Sequence, residues 1–82
     1  MVSMRALCLV TVKAAKLDKV LLNLKKKRKA IREIMPVTGR ADIIIVLQGT
    51  IDDINYSVFE FKKIKEIVST ETLIEVEVNM GW

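Results

Sequence analysis

The sequence has no histidine, a single cysteine, one proline and three glycines among 82 residues. Without histidine there is no Ser/His or Cys/His nucleophile pair and none of the commonest general base. With Cys8 as the lone thiol, a zinc site would have to be built from carboxylates, so neither a metal nor a cofactor is expected. Cys8 also cannot form an internal disulfide. It sits in the apolar run Ala6 to Val10 and reads as a buried, inert thiol. No glycine-rich phosphate loop is present. The carboxylates Asp52, Asp53, Glu60 and Glu66 have no partner base, so the chain is not expected to be an enzyme. Long apolar runs are missing too. A membrane-crossing helix needs about 20 apolar residues, and the longest run here is Ile43 to Leu47, flanked by Asp42 and Gln48. Arg5 and the short Ala6 to Val10 run do not make a secretory signal, so a cytoplasmic location is expected.

What is present is apolar. Hydrophobic residues make up 51% of the chain and the mean hydropathy is +0.31. A chain of 82 residues is expected to form one domain, residues 1–82. A domain this small buries only on the order of 60% of its unfolded surface. That leaves more apolar side chain than one small core absorbs, so a second apolar face is expected to be covered by a partner. The Lys- and Glu-rich makeup with few Asn or Gln points to a heat-adapted source.

The pattern changes period along the chain. Met4 to Val12 is apolar on both faces and predicts a buried strand. In Lys16 to Lys27, Leu17, Val20, Leu21 and Leu24 form one helical stripe. Ala30 to Val37 predicts a second strand, and Pro36 makes it an edge because proline has no N–H to donate. Gly39 supplies the following turn. Ile43 to Leu47 is the best candidate for a central strand. Asp52 or Asp53 is the expected cap of a second helix, with the stripe Ile54, Val58, Phe61 and Ile64. Glu71 to Asn79 predicts the last strand, with Thr72, Ile74, Val76 and Val78 on one face and glutamates on the other. Those glutamates mark it as an edge.

The order strand, helix, strand, strand, helix, strand is the α+β, ferredoxin-like βαββαβ arrangement. It predicts an antiparallel sheet with both helices on one face. Strands one and three are nonetheless apolar on both sides, through Leu7, Leu9, Ile43, Ile45 and Leu47 and through Cys8, Val10, Ile44 and Val46. An exposed patch of that kind marks an interaction surface. Two sheets packed face to face about a two-fold axis would cover it, so the protein is expected to dimerise through its other sheet face.

Two polar segments are candidate ligand sites. Thr38, Gly39, Arg40, Ala41 and Asp42 bring backbone N–H groups, a hydroxyl, a guanidinium and a carboxylate within one turn. A zwitterion could be held there, its ammonium by Asp42. Spacing alone favours a plain turn, since turns select Gly and Asp. Ser69, Thr70 and Thr72 form the second segment. Thr70 and Thr72 share a face and could bind a carboxylate, although threonine also simply suits strands. The basic run Lys25 to Lys29 carries much of the +4 net charge. No aromatics are interleaved with it, so it reads as a solvated helix end and no direct DNA binding is expected.

The stretch Ile34-Met35-Pro36-Val37-Thr38-Gly39-Arg40-Ala41-Asp42-Ile43-Ile44, followed at a distance by Val68-Ser69-Thr70-Glu71-Thr72-Leu73-Ile74, resembles the effector-binding domain of the Lrp/AsnC family of transcription regulators. The strand at Ala6 to Lys13 and the helix start Leu17-Asp18-Lys19-Val20 also fit. The resemblance implies a stand-alone sensor domain without the family's DNA-binding domain. It implies a homo-oligomer, a dimer that can assemble further into octameric rings of dimers. It also implies an amino-acid or related small-molecule effector, and a full-length Lrp/AsnC-type regulator as partner. By the same resemblance, Gly39 to Asp42 would line the pocket with Thr70 and Thr72 opposite. Ala41 stands where the family usually has Tyr or Trp. A small dimeric α/β-barrel enzyme or a structural assembly module of the same fold is the alternative, because unrelated functions share this fold.

Overall fold

The computed structural model describes residues 3–26 and 29–76. In chain order the elements are β1 (Met4–Val12), α1 (Leu17–Lys25), β2 (Ile31–Pro36), β3 (Ile43–Gly49), α2 (Ile51–Lys62) and β4 (Ile67–Ile74). The sheet is antiparallel throughout, in the order β2-β3-β1-β4. This is the ferredoxin-like α+β fold that the periodicities predict. The proline-bearing β2 and the glutamate-bearing β4 are the two edges, as expected.

The register sorts the side chains by face. β1 and β3 pair from Met4 opposite Gly49 to Val10 opposite Ile43. Directly paired residues share a face. Ala6, Cys8 and Val10 therefore stand with Leu47, Ile45 and Ile43 on one side, and all six are buried. Val20 and Leu24 of α1, Ile54 and Phe61 of α2, and Ile64 complete that core. On the other side Leu7 pairs with Val46 and Leu9 with Ile44. The sequence pattern had grouped Leu7 and Leu9 with Ile43, Ile45 and Leu47. Antiparallel pairing puts them instead with Ile44 and Val46.

Several boundaries differ from the periodicity, each for a local reason. β2 starts at Ile31 because Ala30 takes a left-handed turn at φ 66. β3 runs on to Gly49. The cap of α2 is Thr50, not Asp52 or Asp53. Its side chain accepts from the Asp53 N–H at 3.1 Å, while the Asp53 carboxylate accepts from the Thr50 N–H at 3.3 Å. Such a reciprocal box contributes about 1 kcal/mol through its capping residue. Gly49 leaves room for it, since a Cβ there would lie 3.1 Å from Asp53. Ile64 lies beyond the helix end but still reaches the core.

β4 begins earlier than its alternation suggested. Thr11 pairs with Ser69 and Val12 with Ile67, across a bulge that leaves Val68 of β4 as the extra residue. β1 is long, and its outer backbone groups need partners down to that end. The expected continuation to Asn79 lies outside the described residues from position 77 onward.

One ion pair ties the helices to β4. Lys19 of α1 lies 3.2 Å from the carboxylate of Glu66, which is buried just before β4. Burial pushes the Glu66 carboxyl up, but the Lys19 hydrogen bond and charge, a backbone hydrogen bond and the Lys65 charge together outweigh it and hold the group below its ordinary range. A depressed carboxyl stabilises the fold above its unfolded value and loses that contribution as pH falls through its folded value. Urea unfolding followed from pH 7 downward should show the midpoint falling below about pH 4.3, the ordinary glutamate value. Lys19→Gln should reduce that fall, because only a backbone hydrogen bond and the Lys65 charge would then oppose the desolvation of Glu66.

Candidate functional site

The β2–β3 turn closes on the end of β1. Asp42 N–H donates to the Val10 carbonyl at 2.8 Å, and Val37 N–H donates to the Asp42 carbonyl at 2.9 Å. The Asp42 carboxylate continues the ladder by side chain, its Oδ2 accepting from Val12 N–H at 2.9 Å. Gly39 supplies the left-handed backbone of the turn at φ 125. Ala41 is 5% exposed and packs as a small core residue. Thr38, Gly39 and Arg40 are exposed.

The second polar segment lies at the same end. Val10 pairs with Thr70 and Thr11 with Ser69. Both candidate clusters are thus brought to one end of the sheet, with β1 between them. A direct bond crosses that strand: Arg40 Nη2 donates to Glu71 Oε1 at 2.9 Å. Glu71 was not among the expected site residues. Its exposed position on an edge was legible, but its partner 31 residues earlier was not.

The two clusters do not face one way. Thr70 and Thr72 stand opposite Val10 and Cys8, on the helix side of the sheet. Glu71 stands opposite Leu9 on the open side. Thr72 Oγ1 lies 3.9 Å from Cys8 Sγ, a weak thiol contact. Burial pushes the Cys8 thiol up, against smaller opposing effects of Thr72 and Lys62, which suits an inert core residue.

Two concavities flank this architecture. One of about 380 Å³ lies on the open sheet face, lined by Arg5, Ala6, Leu7, Val46, Leu73, Ile74 and Glu75. It is far from the turn, and its ionisable groups neutralise each other, with Arg5 on Glu75 at 2.6 and 3.2 Å. The other, of about 320 Å³, is lined by Lys62, Ile67, Val68, Ser69 and Thr70. It takes in two of the expected residues and adds Lys62, which no sequence pattern singled out. Among the described residues no cluster of His, Cys, Asp and Glu could hold a metal, and no helix is long and apolar enough to cross a membrane. Two lysines, one at the end of the basic run and one just after α2, acquire aromatic neighbours through folding. Lys29 Nζ lies 5.2 Å from the Tyr56 ring centre, and Lys63 Nζ lies 5.0 Å from that of Phe59.

The fold of this chain recurs in solved structures. Its structural neighbours are Lrp/AsnC-family regulators. The crystal structure of FFRP-DM1 superposes with a TM-score of 0.79 at 27% identity, over 89% of this chain and 99% of that one. AsnC of E. coli gives a TM-score of 0.80 at 25% identity, over 94% of this chain but 53% of its own. The feast or famine regulatory protein of M. tuberculosis, solved in complex with L-methionine, gives 0.74 at 10% identity over 92% of this chain and 51% of its own. That last likeness is one of fold alone. No family model and no curated protein matches the sequence. The chain corresponds to about half of the AsnC polypeptide and to nearly all of FFRP-DM1.

The Asp42 carboxylate is the side-chain link between turn and β1. Asp42→Ala should speed hydrogen exchange at the Val12 amide by tenfold or more while leaving the amides of α2 unchanged. Unchanged exchange at Val12 would mean that the contact contributes little.

Proposed function

We propose that this chain is an effector-binding domain of the Lrp/AsnC type. In this reading it takes an amino acid or a related small metabolite and modulates transcription together with a DNA-binding regulator of the same family. The observation that carries the reading is the convergence of the Thr38 to Asp42 turn and the Ser69 to Thr72 segment at one end of the sheet, tied by Arg40 and Glu71. Supporting it are the fold shared with AsnC over 94% of the chain and the L-methionine carried by the M. tuberculosis protein of the same fold. The cavity on the open sheet face speaks against the enzyme alternative. Its lining is mostly apolar, and its two ionisable groups are spent on each other. Calorimetry of the full chain against the twenty amino acids and their simple derivatives tests the reading. Binding of at least one is expected, and no heat with any of them would overturn it.

The same proposal includes a dimer formed through the open sheet face. Leu7 and Leu73 pair across β1 and β4 there, at 40% and 49% exposure, beside the half-buried Leu9, Ile44 and Val46. Covering each such side chain is worth about 1.5–3 kcal/mol at most, so a handful suffices for a stable pair. Light scattering should give twice the 9.3 kDa chain mass or a multiple of it. Leu7→Lys combined with Leu73→Glu should shift the population to monomer. A wild-type monomer at micromolar concentration would remove this half of the proposal.

A further inference from the structure

The groove between the end of α2 and the outer edge of β4 holds a set of donors that the fold itself does not use. Its lining is Lys62, Ile67, Val68, Ser69 and Thr70, around a volume of about 320 Å³. Lys62 is the last residue of α2 and is exposed. Three other cations of this region are engaged: Lys63 with Glu60 at 2.9 Å, Lys19 with Glu66 at 3.2 Å, Arg40 with Glu71 at 2.9 Å. Lys62 makes no ion pair among the described residues, and the Thr70 hydroxyl makes no hydrogen bond there.

The backbone adds to the set. Glu75 N–H donates to the Arg5 carbonyl, which fixes the phase of the β1–β4 ladder. In an antiparallel pair, hydrogen-bonded and non-bonded positions alternate. Leu73, Glu71 and Ser69 therefore turn their backbone groups toward β1, and Thr72 and Thr70 turn theirs outward. β4 is an edge, so no strand among the described residues meets them. The Thr70 N–H and hydroxyl thus join the Lys62 ammonium at one groove, with Ile67 and Val68 as apolar wall. Face-to-face pairing through the other side of the sheet would leave this groove open.

No acidic residue lines the groove. Asp42, the expected holder of a ligand ammonium, is bound to Val12 on the β3 side of β1, a strand away. We propose that the groove is a carboxylate site, with Lys62 and Thr70 as its anchors, and that it takes short-chain 2-oxo or 2-hydroxy acids in preference to the corresponding amino acids. The proposal rests on the reading of the chain as a small-molecule effector domain and narrows its ligand class. An α-ammonium would sit a few ångströms from Lys62 with no carboxylate to receive it, only the neutral Thr70 carbonyl and hydroxyl to accept its hydrogen bonds. Like charges at that separation cost roughly a tenfold loss of affinity at a protein surface.

The test is an amide-resolved NMR titration of the full chain with pyruvate and 4-methyl-2-oxopentanoate, with alanine and leucine as their amino counterparts, and with inorganic phosphate. The oxo acids should move the amides of Lys62, Ser69 and Thr70 and bind about tenfold tighter than the amino acids. Lys62→Gln and Thr70→Val should each weaken that binding about tenfold or more at unchanged melting temperature. Lys63→Gln, whose side chain serves Glu60, should not weaken it. Amino acids binding as tightly as oxo acids, or indifference to Lys62→Gln, would overturn this inference and leave the effector-domain reading standing. Phosphate binding as tightly as the oxo acids would overturn the carboxylate assignment. Binding of neither acids nor amino acids would overturn both readings.

Discussion

β1 and β3 lie side by side at the centre of the sheet, paired from Met4–Gly49 to Val10–Ile43, and both are apolar on both faces. Two helices can cover only one of those faces. Ala6, Cys8, Val10, Ile43, Ile45 and Leu47 are sealed by α1 and α2. Leu7, Leu9, Ile44 and Val46 are left on the far side with the edge strands. In so small a chain that uncovered half is a large part of the apolar surface, and the case for a partner sheet follows from it.

The edges take the polar work because the centre cannot. β2 tolerates Pro36 since an edge has a row of donors with nothing to meet. β4 carries Ser69, Thr70, Glu71 and Thr72 for the same reason: its outer side faces no strand. Charges are placed to hold the ends of this layered structure. Glu66 and Lys19 tie the start of β4 to α1, Asp42 ties the β2–β3 turn to β1, and Arg40 and Glu71 bridge the two edges at the same end. The hairpin and the edge strand are thereby held in fixed relation, next to the Lys62 ammonium.

That arrangement also changes what the turn can do. A carboxylate at position 42 suggests an acceptor for an amino group when read on a line of sequence. In the fold its Oδ2 is already a backbone partner for Val12. The donors left over are positive or neutral: Lys62, the Thr70 hydroxyl and the outward Thr70 N–H. On the proposed reading, charge balance at the groove favours an anion over a zwitterion.

The sequence by itself determined the element types and their order, the two edge strands and the surplus apolar face. Those are local properties, carried by periods of two and about 3.6 residues, by Pro36, and by composition. Boundaries were less legible where a neighbour sets them. Ala30 turns left-handed ahead of β2, Thr50 rather than an aspartate caps α2, and β4 starts at Ile67 because β1 needs a partner there. The candidate site was half legible. Residues 38–42 and 69–72 stood out as polar islands, and period two already set Thr70 and Glu71 on opposite faces, yet nothing in their spacing revealed which of those faces the helices would cover. Only the tertiary structure decided that Arg40 reaches Glu71, that Lys29 lies over Tyr56, and that Lys62 comes to the open edge of β4. Register and helix placement are set by the packing of the whole core, and no local period encodes which distant side chains that packing brings together.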